Sequence, residues 1–130
     1  MTVRGIDHIN IGTARIADTI AFFRDVIGLT EGWRPDFPFP GAWLYAGETA
    51  VVHLVDLTDA KRPSGEAALD HFALRIVDYD DIERRLVAHN VPFQRFAVPG
   101  TTIRQLVVQD PNGVYVELNY KGPPSEQAGA

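Results

Sequence analysis

The dipeptide Asp-His occurs twice, at residues 7–8 and 70–71. Each copy opens an alternating apolar run, Ile6-Asp7-His8-Ile9-Asn10-Ile11 and Leu69-Asp70-His71-Phe72-Ala73-Leu74. His53 follows His8 by 45 positions, inside Val51-Val52-His53-Leu54-Val55. Glu117 follows His71 by 46, inside Val114-Tyr115-Val116-Glu117-Leu118. Four residues able to bind metal thus recur at an offset of 63 (8 to 71) and 64 (53 to 117). Self-similarity at a fixed offset is the mark of a duplicated supersecondary unit. Each half, at about 55–60 residues, is marginal alone, so the halves should pack on each other or on a partner chain.

The order of elements repeats as well. In the first half a strand is expected at about 5–11. A helix follows over 16–27, with Ile20, Phe23 and Ile27 at helical spacing and Gly28 ending it. Leu29 to Arg34 reads as a strand. Pro35 to Gly41 must be a loop, because its three prolines cannot pair in a central strand. Trp43–Tyr45 and Thr49–Asp56 are two further strands around a Gly47-Glu48 turn. After a polar linker over 57–69, the second half gives a strand at 70–76, a helix at 79–89 and strands near 93–98, 102–109 and 114–120. Asp110-Pro111-Asn112-Gly113 is the turn before the last strand, and 121–130 reads as a frayed tail. Two βαβββ modules, at about 5–56 and 70–120, make an α+β domain over 1–120. The helical crossover permits parallel pairing and the short turns antiparallel pairing, so a curved mixed sheet is expected.

Several function classes drop out on composition. The net charge of −5 and the pI near 5.2 disfavour nucleic acid, whose binding needs basic surface. No apolar run approaches the roughly 18–20 residues that cross a bilayer, and the N-terminus has no signal-peptide core, so a cytoplasmic location is expected. The absence of Cys removes thiolate ligands and nucleophiles. Ser64 and Ser125, the only serines, lie in Pro/Gly-rich stretches unsuited to an aligned nucleophile.

The four recurring residues carry the chemistry. Imidazole and carboxylate suit Zn, Fe(II), Mn, Ni or Co, and ligands centred in neighbouring strands sit on rigid supports. The bland alternatives are a backbone-bonded strand histidine for His8, a core histidine for His53, and a salt bridge to Arg104 or Arg75 for Glu117. Strand alternation turns Asp7 and Asp70 away from their histidines, which makes them poor ligands. His89 falls where a helix should end and reads as structural. Phe37, Phe39, Trp43 and Tyr45 can wall an apolar substrate pocket. Tyr115 shares a strand face with Glu117 and joins them as a candidate, and Arg104 can meet an anionic group.

The stretches Ile6-Asp7-His8-Ile9, Phe22-Phe23-Arg24-Asp25-Val26-Ile27-Gly28-Leu29, Asp70-His71-Phe72-Ala73-Leu74 and Asp110-Pro111-Asn112-Gly113-Val114-Tyr115-Val116-Glu117-Leu118 together resemble the vicinal oxygen chelate superfamily. That superfamily includes glyoxalase I, methylmalonyl-CoA epimerase, fosfomycin-resistance enzymes, bleomycin resistance proteins and extradiol dioxygenases. The resemblance spans about residues 5–120. It implies paired βαβββ modules forming a cup-shaped sheet around a divalent ion (Fe2+, Mn2+, Ni2+ or Zn2+) that chelates substrate oxygens and stabilises an enolate or other oxyanion. His8, His71 and Glu117 match its metal positions. His53 matches the fourth, where glyoxalase I carries Glu and the epimerase Gln. Three neutral imidazoles and one carboxylate around a divalent ion leave a net +1, which favours an anionic chelating substrate. The implied activity is a lyase or isomerase in which Glu117 or His53 exchanges protons. The alternatives are an Fe(II) extradiol dioxygenase and a metal-free binding or resistance protein. The resemblance also implies a homodimer with shared sites, a small-molecule substrate, and neither nucleic acid nor membrane as partner.

Overall fold

The computed structural model describes residues 6–57 and 71–122. Asp70, most of the expected linker and the last residues of the expected tail lie outside the described residues. The chain divides into two compact units, one on each side of the segment 58–70.

In the first unit β1 (Ile9–Thr13) leads to helix α1 (Ile16–Ala21), which continues as a π-helical stretch over Phe22–Ile27. Then come β2 (Thr30–Gly32), β3 (Gly41–Ala46) and β4 (Thr49–Asp56). The start of α1 is set by a threonine turn. Thr13 Oγ1 accepts from Arg15 N at 2.8 Å, and Thr19 Oγ1 donates to Arg15 O at 2.7 Å. Gly28 ends the helical run as read from the sequence. It sits at φ 95°, where a side chain would clash, and lets Leu29 N reach back to Phe23 O at 2.8 Å.

The strands are ordered β1-β4-β3-β2. β1 and β4 run parallel, in register from Ile9↔Val52 to Thr13↔Asp56, and the other pairs are antiparallel. One face of this sheet carries Ile11, Ala42, Leu44, Val52 and Leu54, all buried. Phe22, Phe23, Val26 and Ile27 of the helical run are buried too, and α1 contacts β3 and β4. Each such large aliphatic or aromatic side chain removed from water contributes about 1.5–3 kcal/mol, which fixes the helix over this face and leaves the other face open.

The second unit repeats the plan with β5 (His71–Ile76), α2 (Tyr79–Ala88), β6 (Gln94–Ala97), β7 (Ile103–Gln109) and β8 (Tyr115–Lys121), in the order β5-β8-β7-β6. Asp78 caps α2 by accepting from Asp81 N at 3.0 Å, and Asp80 and Asp81 favour the positive end of its dipole. Tyr79, Ile82 and Leu86 share its buried face. His89 is the C-terminal cap residue, as its position suggested. Phe72, Leu106, Val108, Val116 and Leu118 make the buried face of the sheet.

The strand pairing repeats at the offset of the sequence. Phe72↔Val116 corresponds to Ile9↔Val52, displaced by 63 and 64. The strands form two four-stranded mixed sheets, one per unit, as expected of two βαβββ modules. One feature differs from expectation. β1 begins at Ile9, not at 5, so His8 lies just ahead of the strand; the parallel pairing with β4 starts at Ile9↔Val52. No helix among the described residues is long and apolar enough to cross a membrane.

Candidate metal centre

Pairing register decides what stands on the open face of each sheet. In the second unit Glu117 lies between Ala73 of β5 and Val107 of β7, and His71 lies opposite Tyr115, one pleat away on the same face. His71 Nε2 and Glu117 Oε2 are 2.9 Å apart. The carboxylate's other oxygen, Oε1, accepts from Gln105 Nε2 at 3.0 Å, and the same amide nitrogen donates to Asn119 Oδ1 at 3.2 Å. The side chain of Glu117 is only 21% exposed, so these partners compensate a carboxylate drawn well out of water. The salt bridge to Arg75 or Arg104 weighed for Glu117 is replaced by this imidazole and amide network.

In the first unit the corresponding positions carry rings. His53 lies between Asn10 and Trp43 across the sheet. Its ring stacks on His8 at 3.7 Å between centroids, 14° from parallel, and on Trp43 at 3.9 Å and 9°. Trp33 meets Trp43 edge-on at 6.0 Å. Burial holds the His53 pKa below its usual value, and the neighbouring His8 adds to this; a backbone hydrogen bond with Ala50 opposes it. His8 Nδ1 donates to Asp7 Oδ1 at 2.7 Å. The expectation that Asp7 turns away from His8 is therefore corrected: residues 6–8 are not strand, and strand alternation does not govern them.

These pairs can be tested against what an ion requires. Two donors each about 2.1 Å from one ion and at right angles to each other lie about 3.0 Å apart. The His71–Glu117 spacing of 2.9 Å is compatible with this and is equally the length of an N–H···O hydrogen bond. In the first unit, His8 has a ring nitrogen engaged by a carboxylate and His53 is held by backbone. Such outer partners commonly orient metal-binding imidazoles. The stacked rings point their edges in parallel, however, so binding one ion through both needs one ring to tilt. Imidazole and carboxylate are donor types that suit a divalent ion. Among the described residues, no three or more His, Asp or Glu side chains gather where they could hold an ion.

The remaining candidates divide between the units. Phe37 stacks on Phe39 at 5.2 Å and lies 6.4 Å from Trp43, so the expected aromatic wall assembles, extended by Trp33, which is 72% exposed. Tyr45 belongs to the same unit, its hydroxyl donating to Trp33 O. Arg34, overlooked in the sequence, lies over both Phe37 and Phe39, and its Nε is buried without a hydrogen-bond partner among the described residues. Its guanidinium needs Gly41: a Cβ there would stand 2.8 Å from Arg34 Nη2 and 2.3 Å from Leu54 O.

Tyr115 lines a cavity of about 360 Å3 with Pro92, Phe93, Gln94, Val107 and Gln109. Several of these residues share the face of Glu117. Arg104 does not. It alternates to the helix-bearing face and lies 3.9 Å over the ring of Tyr79, which removes it from the Glu117 face. Gln105 and Asn119 were also overlooked. They stand directly opposite each other in β7 and β8, and the face alternation that singled out Glu117 could have found them.

Comparison with known proteins places the fold. Residues 5–118 match the family model described as Glyoxalase/Bleomycin resistance protein/Dioxygenase superfamily. Among solved structures, a fosfomycin resistance protein from Listeria monocytogenes is similar with a TM-score of 0.71 at 16% identity, covering 97% of this chain and 99% of its own. A lactoylglutathione lyase from Agrobacterium tumefaciens gives 0.69 at 20%, covering 92% and 96%. An antibiotic binding protein from a Streptomyces species gives 0.69 at 16%, covering 94% and 99%. At these identities the likeness establishes the fold alone. No curated protein matches the sequence.

Proposed function

The chain belongs to the Glyoxalase/Bleomycin resistance protein/Dioxygenase superfamily, and from that premise we propose that it is a metal-dependent enzyme of the lyase or isomerase type. Its substrate is a small, oxygenated, anionic molecule bound by chelation. The observation that carries this reading is the 2.9 Å approach of His71 Nε2 to Glu117 Oε2 on a face whose register is repeated in the first unit, where His53 stands at the place of Glu117. His71 and Glu117 of the second unit would hold an ion, and His8 and His53 of the first unit are the other candidate ligands. A bound Fe2+, Mn2+, Ni2+ or Zn2+ supplies Lewis-acid stabilisation of an oxyanion on the substrate.

The residues of the chain divide the other tasks. His53, held below its usual pKa by burial and by His8, would take up a proton only once substrate displaces it from the ion. Glu117 is the second candidate for proton exchange. The aromatic wall of Phe37, Trp43 and Tyr45 excludes water and orients apolar substrate, and Tyr115 and its cavity offer a second contact surface. We propose a homodimer as the working form.

The exposed ring cluster around Trp33 favours one alternative, a metal-free protein that binds a flat apolar molecule. Metal analysis of protein purified without chelators and then reconstituted with each of the four ions separates the two. Near-stoichiometric metal is expected, and none under any condition would overturn the enzyme reading. With metal bound, oxygen uptake on a catechol panel would identify an extradiol-type dioxygenase; none is expected.

A further inference from the structure

Glu117 is gripped at both oxygens by chemically different partners. Oε2 faces His71 Nε2 at 2.9 Å, and Oε1 accepts from Gln105 Nε2 at 3.0 Å. An ionised carboxylate only accepts hydrogen bonds, so Gln105 must present its NH2 group and not its oxygen. That group has two hydrogens, and the second goes to Asn119 Oδ1 at 3.2 Å, which fixes the orientation of the amide. The backbone makes the triangle possible. Gln105 and Asn119 are direct partners across β7 and β8, and Glu117 is two residues before Asn119 on the same face. The first unit has no equivalent, since Gly41 stands opposite Val55 at the matching place.

Resting on the metal-site reading above, we propose that Gln105 is a positioning residue for Glu117. It ties down Oε1 so that Oε2 alone is offered to the ion and to His71. A carboxylate free to rotate would alternate between one-oxygen and two-oxygen binding or swing off the ion. One pinned by an amide, itself pinned by Asn119, would bind an ion through one oxygen.

Gln105→Met tests this, because methionine keeps the length and packing of the side chain and removes the donor. Two readouts are needed. In a crystal structure of the metal-free variant, Glu117 Oε2 should leave hydrogen-bond distance of His71 Nε2. In a titration with Mn(II), followed by the EPR signal of the free ion, affinity should fall roughly 10–100-fold, the usual cost of losing a group that supports a ligand. Asn119→Ala should show the same change in weaker form. A Gln105→Met protein that keeps the 2.9 Å approach and binds Mn(II) like wild type would overturn the proposal. Should wild type itself bind no Mn(II), the metal reading falls, and the crystallographic readout alone decides whether Gln105 positions Glu117.

Discussion

The two units share a backbone plan and the register of their parallel strand pairs, yet they present opposite chemistry on their open faces. In the first, His8, His53 and Trp43 form a column of parallel rings, with Trp33 on its edge. In the second, the matching strands carry an imidazole, a carboxylate and two amides tied by directional hydrogen bonds. Position is inherited from the pairing of β1 with β4 and of β5 with β8. Charge is decided by single side chains at those positions: His53 against Glu117, Trp43 against Val107, Gly41 against Gln105. A duplicated scaffold thus separates where a group stands from what it does there.

The sharpest way to break this contrast is His71→Ala, compared with His8→Ala. Loss of His71 should weaken Mn(II) binding by more than about 100-fold, beyond the cost of losing a supporting group. His8→Ala should cost less, because its ring must leave the stack before it can bind. Equal losses in titration calorimetry would mean that both units contribute alike and the contrast is only one of resting geometry.

The turns offer a second comparison. Asp110 is 5% exposed and accepts from Asn112 N at 2.8 Å and Val114 N at 2.9 Å, whereas the Gly47-Glu48 turn of the first unit is exposed. Asp110→Ala should destabilise the protein by about 1–3 kcal/mol in urea unfolding, through buried N–H groups left without an acceptor. Glu48→Ala should change it by less than about 0.5 kcal/mol.

His53→Glu gives the first unit a carboxylate at the place where the second already has one. Metal affinity should stay within about tenfold of wild type, a free-energy change of about 1.4 kcal/mol; complete loss of metal would assign His53 a different role. The smallest effect concerns pH. Arg95 donates to Glu83 Oε2 at 2.8 Å and holds the Glu83 pKa below its usual value, mainly through that hydrogen bond. A depressed carboxylate contributes stability above its unfolded pKa of about 4.3 and loses it as pH falls through the folded value. Glu83→Gln should therefore flatten the acid limb of the urea midpoint slightly and leave the neutral region almost unchanged.

The elements were legible because their signals are local. Apolar alternation gave β8 its buried Val116 and Leu118 and its open Glu117 and Asn119, and Gly28 marks a helix end through its own backbone chemistry. The recurring spacing was legible too, because strand register turns the sequence offset between His53 and Glu117 into equivalent places in their two units. What escaped depended on partners far along the chain. Arg104 looked available until Tyr79 was found beneath it, Asp7 looked averted until β1 was found to start at Ile9, and Gln105 gains meaning only beside Glu117 and Asn119.

Both tryptophans of the chain, Trp33 and Trp43, stand in the first unit. Trp33 is 72% exposed, and Trp43 is in face contact with an imidazole. Excited selectively, the tryptophans make an optical reporter built into the ring column of the first unit, while the second unit carries Tyr79, Tyr115 and Tyr120 and no tryptophan. A change in the stacking of His53 on Trp43 would therefore be read in tryptophan emission without any label.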